Sequence, residues 1–73
     1  MADSDFFTII ENIITLDSDK KFHKELNLIS WRCSAPVYDL RGWTRDRSEM
    51  TKGVTLTSEE LTQLKEKLGG IEL

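Results

Sequence analysis

The sequence has few of the residues that usually support catalysis, metal binding or covalent cross-linking. Its 73 residues contain one cysteine, Cys33, one histidine, His23, and one proline, Pro36. Zinc sites and disulfide frameworks need several such ligands, and acid–base or nucleophilic catalysis needs grouped titratable side chains. We therefore predict no metal, no cofactor, no small-molecule substrate and no enzymatic activity. His23 is expected to be exposed at a strand edge, and Cys33 to be a reduced loop residue.

The sequence also lacks an apolar run of about 18 residues, the length that a membrane-spanning helix requires. Its first five residues include two aspartates and no base, unlike the basic start of a secretory signal. These absences predict a cytoplasmic, single-domain protein with no membrane partner. A domain this small buries only around 60 per cent of its unfolded surface, so self-association is the stabilising device left open.

The formal net charge is −3, but the charges are distributed unevenly. Residues 1–19 carry five acids and no base, whereas residues 20–52 carry eight bases against four acids. Because phosphate affinity depends on the local potential of a face, this basic centre is compatible with a polyanionic ligand. A solvated surface of mixed charge explains the same composition.

Four segments have the composition of β-strands, and a helix follows them. The predicted strands are residues 6–16, 22–31, 37–45 and 52–56, separated by polar or turn-prone stretches. The first strand has apolar residues at both its odd and its even positions, which suits a strand covered on both sides. Thr57-Ser58-Glu59-Glu60 has the spacing of a helix capping box, and Gly69-Gly70 ends the helix. The pattern predicts an α+β fold.

The third predicted strand has a basic and aromatic stripe. In an extended strand, Arg41, Trp43 and Arg45 project to one face, while Tyr38 and Leu40 project to the other. Guanidinium groups pair with phosphates, and an indole offers a flat surface to a base. Proteins hold unpaired nucleic acid in this way without reading its sequence, so the stripe favours single-stranded nucleic-acid binding.

The other strands extend this two-sided pattern. Even positions form an apolar set that a helix bearing Leu61, Leu64 and Leu68 could cover: Leu26, Leu28, Tyr38, Leu40, Val54 and Leu56. Odd positions form a more polar and aromatic set: Asn27, Ile29, Trp31, Asp39, Arg41, Trp43 and Thr55. Since one helix cannot cover both sides of a four-stranded sheet, we expect the odd face to be solvated, to bind a ligand or to meet another copy.

Each of these assignments has an alternative. Trp31 and Trp43 are also candidates for core aromatics, although their shared parity with Arg41 favours the uncovered face. Arg41 has an alternative partner in Asp39 on the same face, as a surface salt bridge of little value. An alternative from another class is a protein-interaction adaptor that presents its exposed sheet or helix face to a polypeptide.

Several short stretches together resemble one known family. They are Lys24-Glu25-Leu26-Asn27, Ser30-Trp31, Tyr38-Asp39-Leu40-Arg41 with Trp43, Lys52-Gly53-Val54-Thr55-Leu56-Thr57 and Glu59-Glu60-Leu61. This combination, which spans nearly the whole chain, resembles the bacterial YdbC-type branch of the positive cofactor 4 family of transcriptional coactivators. The chain lacks the long basic, serine-rich tail of the eukaryotic coactivators, so a coactivator role does not transfer.

The resemblance implies a four-stranded antiparallel sheet followed by one C-terminal helix, a homodimer formed through the helices, and single-stranded DNA or RNA on the concave sheet surfaces. It implies roles in transcription regulation, replication or repair, without naming one. The implied dimer contacts are Leu61, Leu64 and Leu68. The implied nucleic-acid contacts are Phe22, Lys24, Asn27, Trp31, Arg41, Trp43 and Lys52. Lys20, Lys21, Arg32 and Arg45 are added on charge and position only.

Two of these contacts have uncertain positions on the sheet. Lys24 has the even parity of the leucines, so its assignment to the binding face requires a bulge or a place beyond the sheet edge. Arg45 lies where the third strand gives way to a loop. Lys52 has an alternative role beside a tight turn at Gly53.

Overall fold

The computed structural model describes residues 6–32 and 34–72, so the expectations for the acidic first residues and for Cys33 lie outside the described residues. The strands form one sheet in chain order, each antiparallel to the next. They are β1 (Phe7–Leu16), β2 (His23–Trp31), β3 (Val37–Trp43) and β4 (Val54–Leu56), and the helix α1 (Ser58–Leu68) follows them. The predicted α+β fold, with four antiparallel strands and one C-terminal helix, is confirmed.

The helix begins with the predicted capping box. The Thr57 hydroxyl accepts a hydrogen bond from the Glu60 amide at 3.0 Å, and the Thr57 amide donates to the Glu60 carboxylate at 2.9 Å. These two bonds satisfy backbone donors that have no partner within the helix. At the other end, the Gly69 amide donates to the Lys65 carbonyl.

The helix covers at most part of the apolar even face, because it does not contact β2, and this corrects the sequence-based expectation. None of its residues is buried, and Leu64 and Leu68 are 42% and 45% exposed. The reason is local: β4 is the edge strand, and only Thr57 separates it from α1, so the helix starts at the sheet edge and contacts only β3 and β4. The face formed by Leu26, Leu28, Tyr38, Leu40, Val54 and Leu56 is here called the leucine face. The helix does not contact its β2 part, where Leu26 is nevertheless only 9% exposed.

The sheet instead curls around its other face. Phe7 pairs with Trp31 at one end of β2, and Trp43 pairs with His23 at the other end. A straight strand of that length would hold the two ends roughly 25 Å apart. The ring centroids of Phe7 and Trp43 are nevertheless 5.1 Å apart. The odd-numbered side of β2 and β3 is therefore the inside of a strongly bent sheet, here called the concave face.

The core lies on this concave face, where the sequence predicted an uncovered surface. Phe7, Ile29 and Trp43 are its buried members. Partly buried apolar side chains pack around them: Ile9, Trp31, Val37 and Met50. Bending lets one face of a single sheet bury its own side chains, so a covering layer of helices is not needed here.

Two irregularities in β1 explain why its sequence is apolar at both parities. The pairing with β2 skips Ile10 and Ile13, so that Asn12 lies opposite Asn27 and Ile14 lies opposite Leu26. Each extra residue shifts the following side chains to the other face and increases the local twist. The expectation that the whole strand is covered is wrong, because β1 is an edge strand and residues 10–17 are exposed.

The third and fourth strands are shorter than predicted because the loop between them folds back on β3. The Thr44 amide donates to the Glu49 carbonyl, and the Thr51 amide donates to the Gly42 carbonyl at 2.9 Å. Met50 of this loop forms an isolated bridge with Trp43, the last residue of β3. The part of the chain that the structure describes contains no helix with the length and apolar character needed to cross a bilayer.

Candidate nucleic-acid interface

An ion pair between neighbouring positions of β3 lies on the concave face. The Arg41 Nε donates to Asp39 Oδ1 at 2.8 Å, and Nη2 donates to Asp39 Oδ2 at 2.7 Å. The Asp39 side chain is fully buried and that of Arg41 is 17% exposed. The pair that the sequence offered as a surface salt bridge is therefore a largely buried, two-bond contact, and breaking it would leave a buried carboxylate without a partner.

The Arg41 guanidinium also lies over the Trp31 ring. Its guanidinium carbon lies 4.7 Å from the centroid of the Trp31 ring, which is within the range of a cation–π interaction. Phe6 and Phe7 contact the same indole in edge-on arrangements, with centroids 5.6 and 6.0 Å away. Trp31 and Arg41, both predicted contacts, are thus brought together and are both partly exposed.

Two further basic side chains lie over aromatic rings. Arg32 lies 5.3 Å from the Phe6 centroid, and Lys21 lies 5.5 Å from the Phe22 centroid. Lys21 also pairs with Glu49 at 3.2 Å. Phe6 is 44% exposed and Phe22 is partly buried, so the Phe6 ring reaches the surface with a cation beside it. Such a pair offers a base a stacking surface and a phosphate a charge within a few ångströms of each other.

Asn27 is buried and bonded within the protein. Its side-chain oxygen accepts from Asn12 at 2.7 Å, and its nitrogen donates to Glu25 at 3.1 Å. The side chain has no exposed surface. The predicted contact to nucleic acid is therefore not available in this arrangement, and Asn27 instead links β1 to the polar centre of the concave face.

Glu25 is the centre of a second buried network. It accepts hydrogen bonds from His23 and from Arg47, the latter at 3.0 and 3.2 Å. Burial raises the pKa of Glu25, but the hydrogen bonds from Asn27, His23 and Arg47 and the charge of Arg47 outweigh it and leave that pKa below its ordinary value. His23 is 13% exposed, which corrects the expectation of an exposed strand-edge histidine.

Arg47 belongs to a loop that is held by its own side chains. The loop residue Asp46 accepts hydrogen bonds from the Ser48 amide, the Ser48 hydroxyl and the Thr44 hydroxyl, and these bonds lower its pKa. Arg47 has a positive φ of 59°, a conformation that costs energy for a residue with a side chain. The bonds to Glu25 and within the loop hold it there.

Trp43 is a core residue rather than an exposed stacking surface. It has no exposed area and packs against Phe7. Its indole Nε1 has no hydrogen-bond partner among the residues that the structure describes. The expectation of an exposed indole is wrong. The odd position of Trp43 in its strand determines the face on which it lies, but the bend of the sheet determines whether that face is exposed to solvent.

Lys24 lies on the opposite side of the sheet from Trp31. It pairs regularly with Leu16 and Gly42 and is exposed beside the leucine face, so no bulge moves it to the concave side. Phe22 is partly buried, with its Cβ 3.4 Å from where a Cβ on Gly42 would lie. Both predicted contacts thus lie away from the Trp31 and Arg41 pair.

The remaining basic residues are exposed at the ends of the strands. Arg45 lines an open concavity beside the β1–β2 turn, together with Thr15, Asp17, Ser18, Asp19 and His23. Lys20 and Lys21 belong to that turn, and Arg32 follows β2. Lys52 precedes Gly53, whose backbone approaches Arg41 so closely that an added Cβ would lie 2.5 Å from the Arg41 Cβ. Lys52 therefore adjoins the Arg41 pair, and Gly53 is required for close approach rather than for a tight turn.

Local sequence patterns do not indicate the roles of Phe6 and Arg47 or the burial of Asp39. The apolar first strand predicts a covered Phe6, although its adjacency to Phe7 is a sign that one of the two must face outward. Arg47 was counted only as a loop charge. Its partner Glu25 lies 22 positions away in sequence. No local pattern reports a contact over that separation.

Comparison with known proteins adds one relative. No family model matches the chain. A protein of Treponema pallidum (strain Nichols), described only as uncharacterized, is 45% identical to it over 49 residues. The matched region covers 67% of this chain and 58% of the Treponema protein, so the chain spans less than two thirds of that relative.

Proposed function

We propose that the chain is a member of the YdbC-type branch of the positive cofactor 4 family and binds single-stranded DNA or RNA with little sequence preference. The observation that carries this proposal is the placement of Arg41, Arg32 and Lys21 over aromatic rings. Aromatic surfaces that stack bases, beside cations that follow the backbone, are the common device of sequence-tolerant single-strand binding. The proposed setting is the cytoplasm, in transcription, replication or repair.

The exposed cations at the strand ends supply the electrostatic part of the proposal. Arg32 follows Trp31 in the chain, Lys52 precedes Gly53, whose backbone lies close to Arg41, and both cations are exposed. Each phosphate that such a side chain neutralises releases a counterion, so affinity falls as salt rises. The buried acids Glu25 and Asp39 are each paired with an arginine and do not oppose this potential as free charges.

A homodimer is the second part of the proposal. The helix does not contact the β2 part of the leucine face, and Leu64, Leu68 and Val54 are all more than two fifths exposed. Exposed apolar side chains on β4 and on a helix with no buried residue favour contact with another copy of the chain. Leu61, Leu64 and Leu68 would then lie at the interface.

The test is a titration of labelled oligo-dT, compared with a duplex of equal length, at two salt concentrations. We expect far tighter binding to the single strand and weaker binding at high salt. The double variant Arg32→Gln/Lys52→Gln should bind less tightly. Lys65→Gln/Lys67→Gln, which changes the net charge equally at the end of the helix, should bind like the wild type. Equal affinity for duplex, or no binding to either, would contradict the proposal.

Tryptophan fluorescence separates this function from a protein-interaction adaptor. Bases bound at the Trp31 and Arg41 pair should quench the fluorescence of Trp31, which is partly exposed, and should leave the buried Trp43 largely unaffected. The Trp31→Phe variant should therefore lose most of the quenching. An adaptor would show no change in fluorescence on addition of oligonucleotide.

A further inference from the structure

The side-chain nitrogens of Arg41 are all occupied within the protein. Nε and Nη2 donate to the two oxygens of Asp39, and Nη1 lies 3.4 Å from the Thr51 carbonyl and 3.3 Å from the Met50 sulfur. Four contacts around one guanidinium group leave little capacity for a ligand at its edge. The positive charge is also balanced by the fully buried Asp39 carboxylate.

A phosphate would have to compete with Asp39 for this edge. Moving Arg41 towards a phosphate would leave the Asp39 carboxylate buried and unpaired, which is strongly unfavourable. The flat faces of the guanidinium plane are different, because they make no hydrogen bonds. The guanidinium carbon lies over the Trp31 ring, 4.7 Å from its centroid, and the side chain keeps 17% of its surface exposed.

We propose that Arg41 binds nucleic acid as a neutral stacking surface for a base and not as a phosphate ligand, with Asp39 as the positioning residue that holds the guanidinium over Trp31. Phosphates are then left to the exposed cations such as Arg32 and Lys52. This inference rests on the proposed function, and it divides the surface into a stacking part without net charge and a basic part.

Two measurements separate stacking by Arg41 from phosphate binding by Arg32 and Lys52. They are the change of affinity with salt and the change of affinity when the bases are removed. The ligands are oligo-dT and an oligonucleotide of equal length with abasic sites in place of the bases, each titrated over a range of salt. The wild type should bind oligo-dT about tenfold or more tightly than the abasic strand. Both ligands should show a similar slope of log affinity against log salt, because the backbone contacts are shared.

The double variant Asp39→Asn/Arg41→Gln should lose most of this preference for oligo-dT and keep the salt slope. The double variant Arg32→Gln/Lys52→Gln should keep the preference for oligo-dT over the abasic strand. Its slope of log affinity against log salt should be reduced by about 0.7 for each lost phosphate contact. Asp39→Asn alone frees the Arg41 charge, so it should reduce the preference and steepen the slope. A merely structural role for Asp39 does not predict a steeper slope.

Because Asp39 is buried, the folding of each variant is checked by circular dichroism. Trp31→Leu gives an independent measurement, since it removes the ring beneath Arg41 and leaves the ion pair. It should lower the preference for oligo-dT without changing the slope. A reduced slope in the Asp39→Asn/Arg41→Gln variant, or equal binding of both ligands by the wild type, would overturn the stacking role while single-strand binding stands. No binding of either ligand by the wild type would overturn both.

Discussion

The rings of Phe7 and Trp43 pack 5.1 Å apart although their strands, β1 and β3, are not neighbours in the sheet. They meet across β2, from its opposite ends, because the sheet is strongly bent. This contact closes the concave face and creates the core that contains Ile29. The small domain thus obtains a buried centre to which its helix contributes no side chain.

The first prediction concerns Trp43. Replacing Trp43 with alanine should destabilise the chain by about 3–5 kcal/mol, because it removes a fully buried side chain and leaves a cavity. In a domain this small, that loss is comparable to the whole stability. Urea denaturation followed by circular dichroism measures it. Phe6→Ala, at a more exposed ring, should cost much less, and equal effects of the two substitutions would argue against the bent core.

The second prediction concerns pH. The pKa of Glu25 lies below its ordinary value of 4.5, so between the two values the unfolded chain binds the proton and the folded chain does not. Stability from Glu25 is therefore complete above pH 4.5 and is lost as the pH falls through its folded pKa. Denaturation curves at several acidic pH values should show this loss in the wild type. The Glu25→Gln variant should not show the part of this acid-induced loss that comes from Glu25. The Glu66→Gln variant, which changes the charge equally on the helix, should show the full loss.

The third prediction concerns Gly53. A Cβ at this position would lie 2.5 Å from the Arg41 Cβ and 2.6 Å from the Leu40 carbonyl oxygen. Gly53→Ala should therefore displace the start of β4 or Arg41 and destabilise the chain by about 1–3 kcal/mol. Thermal denaturation measures this effect. Gly70→Ala, where the nearest atom is 3.8 Å away, should be tolerated, and similar costs at both glycines would contradict the close approach.

The fourth prediction concerns the start of the helix. Thr57→Ala removes the hydroxyl that accepts from the Glu60 amide and should destabilise the chain by about 1 kcal/mol. Thr57→Ser keeps the acceptor and should stay close to the wild type. Chemical denaturation of the three proteins gives the comparison. If the alanine and serine variants are equally stable, the cap does not contribute.

The fifth prediction concerns self-association. Light scattering at micromolar concentration should give about twice the chain mass of 8.4 kDa under the proposed homodimer. Leu64→Lys/Leu68→Lys should reduce it to the mass of one chain, because charges would then lie in an apolar contact. Gln63→Lys/Glu66→Lys, on the same helix outside the leucine stripe, should leave the dimer intact. A wild-type mass near 8.4 kDa would rule out the dimer.

The sequence by itself determined the elements and which side chains share a face. The Thr57 capping box, the order of four strands and one helix, and the common face of Trp31, Asp39 and Arg41 all follow from local rules of spacing and parity. These features depend on residues close together in the chain, so an alternating or capped pattern reports them directly.

The tertiary structure decided which face is buried and what each charged group contacts. The bend that joins Phe7 to Trp43, the skipped residues Ile10 and Ile13, and the bond between Glu25 and Arg47 connect distant parts of the chain. Whether a residue has an odd or an even position in a strand determines which face of the sheet its side chain lies on. Its burial depends on the curvature of the sheet, which arises from packing among all the strands. For this reason Trp43, expected at the surface, is in the core.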